Sequence, residues 1–140
     1  MMKAAIINVT GYSGIDLARL LHRHPEVELT GVTGRSSAGQ RLGDFLPHLS
    51  GMDLTIMEDL EESADIVFSA LPQTASAERL EPILDDGVRV VDISADFRLK
   101  NADEYRLWYK ADHPCPHHLE KAVYGLTELN RDEVVPARLV

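Results

Sequence analysis

The chain has little of several things that would have decided its class at once. Among its 140 residues there is a single cysteine, Cys115. That excludes an intrachain disulfide framework and agrees with a reducing compartment. No apolar run approaches the roughly 20 residues that a bilayer-spanning helix needs. The opening Met1-Met2-Lys3-Ala4-Ala5-Ile6-Ile7-Asn8 lacks the apolar stretch of a secretory signal, so a cytoplasmic protein with no membrane partner is expected. Basic residues are also scarce: 14 Lys and Arg stand against 23 Asp and Glu, a formal net charge of −9. Nucleic acid, bound mainly through an excess of Lys and Arg, is therefore not an expected partner, and any anion must be held by local geometry.

What is present reads as alternating strands and helices. Residues 3–9 form a continuous apolar run suited to a strand buried on both faces. Past a glycine turn, Ile15, Leu17, Ala18, Leu20 and Leu21 mark one stripe of a helix that His24-Pro25 ends. Residues 26–32 are a second strand, opening into the polar loop 33–39. Residues 40–51 show no clear period, 54–57 suggest a short strand, and 58–62 are acidic. Residues 65–71 form another strand, closed by Pro72. A helix follows over 75–84 and a further strand over 88–93. The rest predicts a helix at 102–109, a loop at 113–116, a charged helix at 130–135, and the opening of one more strand at 137–140. The length suits one domain, and this order predicts an α/β fold of the Rossmann type. Such a fold is a doubly wound, mainly parallel sheet with helices on both faces.

The chemistry is expected at the first strand-to-helix turn, Thr10, Gly11, Tyr12, Ser13 and Gly14. Glycines there allow a tight turn and let backbone N–H groups approach a pyrophosphate at the helix N-terminus. The fuller dinucleotide pattern would have its first glycine at Asn8. In this architecture the end of the second strand meets the adenosine ribose, with a carboxylate for NAD or beside an arginine for NADP. Here that stretch reads Thr33, Gly34, Arg35, Ser36 and Ser37, with no acid. Arg35 can pair with a 2′-phosphate and the serines can donate to it, so NADP(H) is the expected cofactor. Ala70, Leu71 and Pro72, at the end of a later strand, are candidate walls of the same crevice.

These residues, together with Ser94-Ala95-Asp96-Phe97-Arg98-Leu99, Trp108-Tyr109, His113-Pro114, Tyr124-Gly125-Leu126 and Glu128-Leu129-Asn130-Arg131, carry a resemblance. Over essentially its whole length the chain resembles the N-terminal part of the N-acetyl-gamma-glutamyl-phosphate reductases, arginine-biosynthesis members of the semialdehyde dehydrogenase group. The resemblance implies that a cysteine thiolate attacks an acyl phosphate, phosphate leaves, and NADPH reduces the thioester to the semialdehyde. It also implies that the cysteine lies in an Asn-Pro-Gly-Cys motif just past residues 138–140, and that a catalytic histidine lies in a later domain. On that reading the chain is a nucleotide-binding domain shortened at its end. It would hold cofactor without catalysis, contain no catalytic residue, and form part of a homo-oligomer when whole. Two other readings stand beside it: a sister reductase acting on a carrier-linked (LysW-type) aminoadipyl phosphate of lysine biosynthesis, and a stand-alone nucleotide-binding regulatory module.

Substrate contacts are expected from Ser94 and Arg98, with Arg98 holding the phosphate of the acyl phosphate and Asp96 orienting it or simply pairing with it. His113, Cys115, His117 and His118 lack the paired spacing of a structural zinc site. They are expected to be surface residues, with no metal bound.

Overall fold

The computed structural model describes residues 1–61 and 64–140, so Glu62, the last of the acidic segment, lies outside the described residues. The chain divides into two compact units, Met1–Ala70 and Leu71–Val140.

In the first unit, β1 (Met2–Ile7) lies between β2 (Val27–Thr33) and β4 (Ile66–Ser69), and β3 (Ile56–Met57) pairs with the outer edge of β2; all pairings are parallel. The spatial order β3-β2-β1-β4 reverses direction between β1 and β4, which makes the C-terminal ends of those two strands the switch point where such sheets open a crevice. Four consecutive residues of β1, Ala4 to Ile7, are buried, as a strand covered on both faces requires. Helix α1 (Tyr12–His22) buries Gly14, Ala18 and Leu21, and the last two join the core built on Ala4, Ile6, Leu29, Val32 and Ile56. Leu20 belongs to the apolar stripe in sequence but is exposed, because the helix presents 14, 18 and 21 inward and 20 falls off that face. The stretch without clear period contains α2 (Leu42–Phe45) and a 3₁₀ turn at Pro47–Leu49, too short to show a repeat, yet Leu42, Leu46 and Leu49 enter the same core.

In the second unit, α3 (Ala75–Asp85) is followed by β5 (Arg89–Asp92), and Val90 makes a parallel bridge to Leu139. The strand opening expected at the end of the chain is thus an isolated bridge here. Pro82 sits inside α3, so the carbonyl four residues earlier lacks its usual donor, a local cost within the helix. Helix α4 (Ala102–Tyr109) coincides with the expected 102–109. Its Asn101 cap accepts from the N–H groups of Asp103 and Glu104, as an N-cap asparagine should. Residues Pro116–Lys121 form 3₁₀ turns, and α5 (Thr127–Val134) is kinked at Asn130.

Candidate functional site

At the end of β1 the chain turns through Asn8, whose φ is 66°. That left-handed conformation suits glycine best and asparagine next, which accounts for Asn at the place of the pattern's first glycine. The Asn8 side chain donates from Nδ2 to the carbonyl of Ala70 at 2.8 Å, and the N–H of Val9 donates to the Thr33 carbonyl at 2.8 Å. The ends of β1, β2 and β4 are therefore fastened to one another around the turn. Gly14 is demanded by contact: a Cβ there would lie 2.3 Å from the Asn8 carbonyl oxygen and 2.7 Å from the Val9 Cα. The helix thus enters against the strand end more closely than any side chain permits. Gly11 occupies the N-cap of α1. No side chain caps that terminus and no acid stands in its first turn, so its positive end is left for an outside anion. Tyr12 and Ser13 are exposed there and Thr10 is half-buried.

Beside this turn runs the loop after β2. Gly34 packs against Thr10, and a Cβ on it would lie 2.9 Å from the threonine methyl. The Gly34 N–H donates to the Met57 carbonyl at 3.0 Å, and Arg35–Ser37 form a 3₁₀ turn. Thr33 is buried while Arg35 and Ser36 are exposed, so the guanidinium is available to a ligand. Ser37 faces inward, 5 % exposed, and is a packing residue rather than a second donor to a ligand. Ala70 completes this edge, its N–H bound to the Ile7 carbonyl at 3.0 Å. Leu71 and Pro72 open the second unit, Leu71 half-buried and Pro72 exposed.

The second unit has a pocket of about 280 Å³, lined among others by Asp92, Ser94, Arg98, Tyr124 and Leu126. Arg98 is exposed, its guanidinium carbon 6.0 Å from the Tyr124 ring centroid. Ser94 Oγ donates to Asp92 at 2.6 Å and accepts the Asp96 N–H at 3.1 Å. Burial pushes the Asp92 carboxyl above its ordinary range, against the opposing hydrogen bonds from Ser76 and Ser94.

Asp96 does not orient or pair with Arg98. It is fully buried, and its carboxylate accepts from the N–H groups of Thr74 and Ala77, both at 2.9 Å, and from the Tyr105 hydroxyl at 2.7 Å. The reason is positional: the first turn of α3 offers unpaired N–H groups to a buried acid, whereas Arg98 projects to solvent. Thr74, held by this contact, has a φ of 71°, a costly conformation for a β-branched residue. The Tyr105 hydroxyl is pushed up to about 12, first by burial and then by its bond to Asp96, so it serves as a donor.

The histidine and cysteine cluster is not a surface feature as a whole. His113, Cys115 and His118 are buried, and only His117 is exposed. Proline-flanked, this segment turns inward to place His113 against the Phe97 and Tyr105 rings, and the Cys115 thiol reaches the Ala77 carbonyl at 3.7 Å. The Cys115 N–H donates to His113 Nδ1, so that nitrogen carries no proton, and Nε2 donates to the Asp96 carbonyl. Burial lowers the His113 pKa, in agreement with this neutral form. Burial, followed by the neighbouring acids led by Glu81, pushes the Cys115 thiol up to about 12, which removes it as a nucleophile near neutral pH.

Residues 3–137 match the family described as the semialdehyde dehydrogenase NAD-binding domain. The chain belongs to that family. It is 55 % identical over 99 % of its length to an N-acetyl-gamma-glutamyl-phosphate reductase from Dehalococcoides mccartyi, covering 40 % of that protein. It is 44 % identical over its full length to the enzyme of the same name from Thiobacillus denitrificans, covering 42 % of it. The chain thus spans about two fifths of the length of the curated relatives it matches. Among solved structures, aspartate semialdehyde dehydrogenase with NADP from Candida albicans is similar, at a TM-score of 0.61 and 26 % identity, over 70 % of this chain and 31 % of that one. The family places the glycine turn and the parallel sheet in an NAD-binding domain, as the α/β Rossmann-type reading expected. No helix among the described residues is long and apolar enough to cross a membrane.

Proposed function

We propose that these residues are the NADP(H)-binding part of an N-acetyl-gamma-glutamyl-phosphate reductase, which reduces an acyl phosphate to N-acetyl-glutamate semialdehyde in arginine biosynthesis. The observation that carries the reading is the pairing of an uncapped, acid-free α1 terminus with an exposed Arg35 on the loop packed against it. The backbone of Gly11, Tyr12, Ser13 and Gly14 offers N–H groups to the pyrophosphate, a contact that requires no side-chain charge in an acidic protein. Thr10, Thr33 and Gly34 shape the floor, and Arg35 with Ser36 takes the 2′-phosphate. Ala70, at the end of β4, supplies a wall of the cofactor site.

When bound, the nicotinamide supplies hydride. In the second unit, Arg98 offers a cation to the substrate's phosphate, with the Tyr124 ring beside its guanidinium. Ser94, committed to Asp92 and to the Asp96 N–H, fixes the loop that presents Arg98. With Cys115 buried and its thiol protonated, the nucleophilic cysteine belongs to a part of the enzyme outside these residues, and these residues alone bind without turnover. The names of the relatives support a small-molecule acyl phosphate as substrate, and a cytoplasmic, homo-oligomeric enzyme is part of the same proposal.

Calorimetric titration with NADPH and NADH at fixed salt tests the cofactor reading. NADPH is expected to bind more tightly, and Arg35→Ala to erase roughly tenfold to a hundredfold of that preference, the value of a charge-assisted pair. An unchanged ratio in Arg35→Ala removes Arg35 from the site.

A further inference from the structure

Asp85, the last residue of α3, stands beside the 3₁₀ segment Pro116–Lys121 that carries His117 and His118. His118 Nε2 is 3.1 Å from Asp85 Oδ1, and His117 Nε2 is 4.0 Å from the same oxygen. One ligand atom from each of the three residues lies within 4.8 Å of the other two. The two rings, although on adjacent residues, lie on the same side with centroids 4.2 Å apart. Glu81, one helical turn before Asp85 and on the same face of α3, brings Oε1 to 3.9 Å from His117 Nε2.

From this convergence of His117 and His118 Nε2 with the Asp85 carboxylate, and with Glu81 beside His117, we infer a binding site for a borderline divalent transition metal of the zinc class. Two imidazoles and a carboxylate are a donor set that such ions take, with Glu81 or water completing four-coordination, while calcium and magnesium prefer oxygen alone. Bond lengths near 2.0–2.2 Å put neighbouring ligand atoms about 3.3–3.5 Å apart, so the present spacings need only side-chain adjustments. Asp85, Glu81 and His117 are exposed enough to make them. The C-terminal end of α3 adds the negative pole of its dipole to the two carboxylates. In sequence, the histidines and cysteine between positions 113 and 118 lack the paired spacing of a structural metal site. The structure turns His113 and Cys115 into the core and brings in from α3 the carboxylate of Asp85, 33 residues before His118. The bound ion would staple the end of α3 to the 3₁₀ segment. The inference is independent of the cofactor reading.

Titration of the chain with ZnCl₂ at pH 7.5 in a non-chelating buffer, followed by calorimetry, is the test. One zinc per chain is expected, undisturbed by millimolar Mg²⁺. Since loss of mere supporting residues already costs about 10–100-fold at such sites, His117→Ala and Asp85→Asn should each weaken binding at least about tenfold. His22→Ala with His24→Ala should leave it unchanged. Proton NMR of the unsubstituted chain gives a reading free of folding defects: the His117 and His118 Cε1–H signals should shift at one equivalent. Absence of saturable 1:1 binding, binding retained in His117→Ala with Asp85→Asn, or shifts confined to His22, His24 or His48 would each overturn the inference.

Discussion

Replacing Asp96 by alanine probes the buried centre of the second unit. The substitution leaves the N–H groups of Thr74 and Ala77 and the Tyr105 hydroxyl without their acceptor in a site closed to solvent. Each buried donor left unpaired costs about 1–3 kcal/mol, and some water enters the space vacated by the carboxylate, so the loss is about 4 kcal/mol. Against a total stability on the order of 5–15 kcal/mol, that brings the chain close to its unfolding threshold. Asp96→Asn separates charge from hydrogen bonding. With its amide oxygen toward Thr74 and Tyr105, the NH₂ meets the Ala77 N–H donor to donor, which predicts a loss of about 1–2 kcal/mol. Urea unfolding followed by circular dichroism gives both values from the midpoint and slope. A loss below about 1 kcal/mol in Asp96→Ala would refute the account of Asp96 as the acceptor on which this network depends.

Three further outcomes follow from geometry already described. His113 is neutral in the fold and its pKa is lowered from 6.5, so its contribution to stability is present above pH 6.5 and lost as pH falls through the folded value. The slope of stability between pH 7.5 and 5.5 should flatten in His113→Asn, and an identical slope would show that other groups set it. Gly14→Ala should cost about 2 kcal/mol or more by forcing α1 off the end of β1, and should abolish NADPH binding in whatever fraction remains folded. Its thermal midpoint and a cofactor titration check this. Cys115 should react with iodoacetamide at pH 7.5 far more slowly than a free thiol and at full rate in urea; rapid labelling of the folded chain would contradict its burial.

The strand-helix-strand frame was legible because its signals are local. A run such as Ala4 to Ile7 has one way to be buried, and a helix stripe ending at His24-Pro25 announces its own stop. The exposed position of Arg35 followed from its place just past a strand end. What escaped the reading depends on partners distant in sequence. Asp96 has Arg98 two positions away, yet it is claimed by Thr74 and Ala77, 22 and 19 residues earlier, because a helix start leaves unpaired donors that only the fold brings near. His113 and Cys115 look exposed by composition, and only the Phe97, Tyr105 and Ala77 neighbours explain their burial. Asp85 has no motif at all in the sequence.

The bond from Asn8 to Ala70 has a consequence for the thermodynamics of anion capture. A glycine at position 8 would reach the same backbone angle with less strain, but it has no amide with which to latch the two strand ends at the switch point. The latch settles, before any ligand arrives, part of the ordering entropy that a looser turn would surrender on binding. Cofactor association should therefore carry a smaller entropic penalty here than in Asn8→Gly, a difference that calorimetry would register even where the two affinities came out alike.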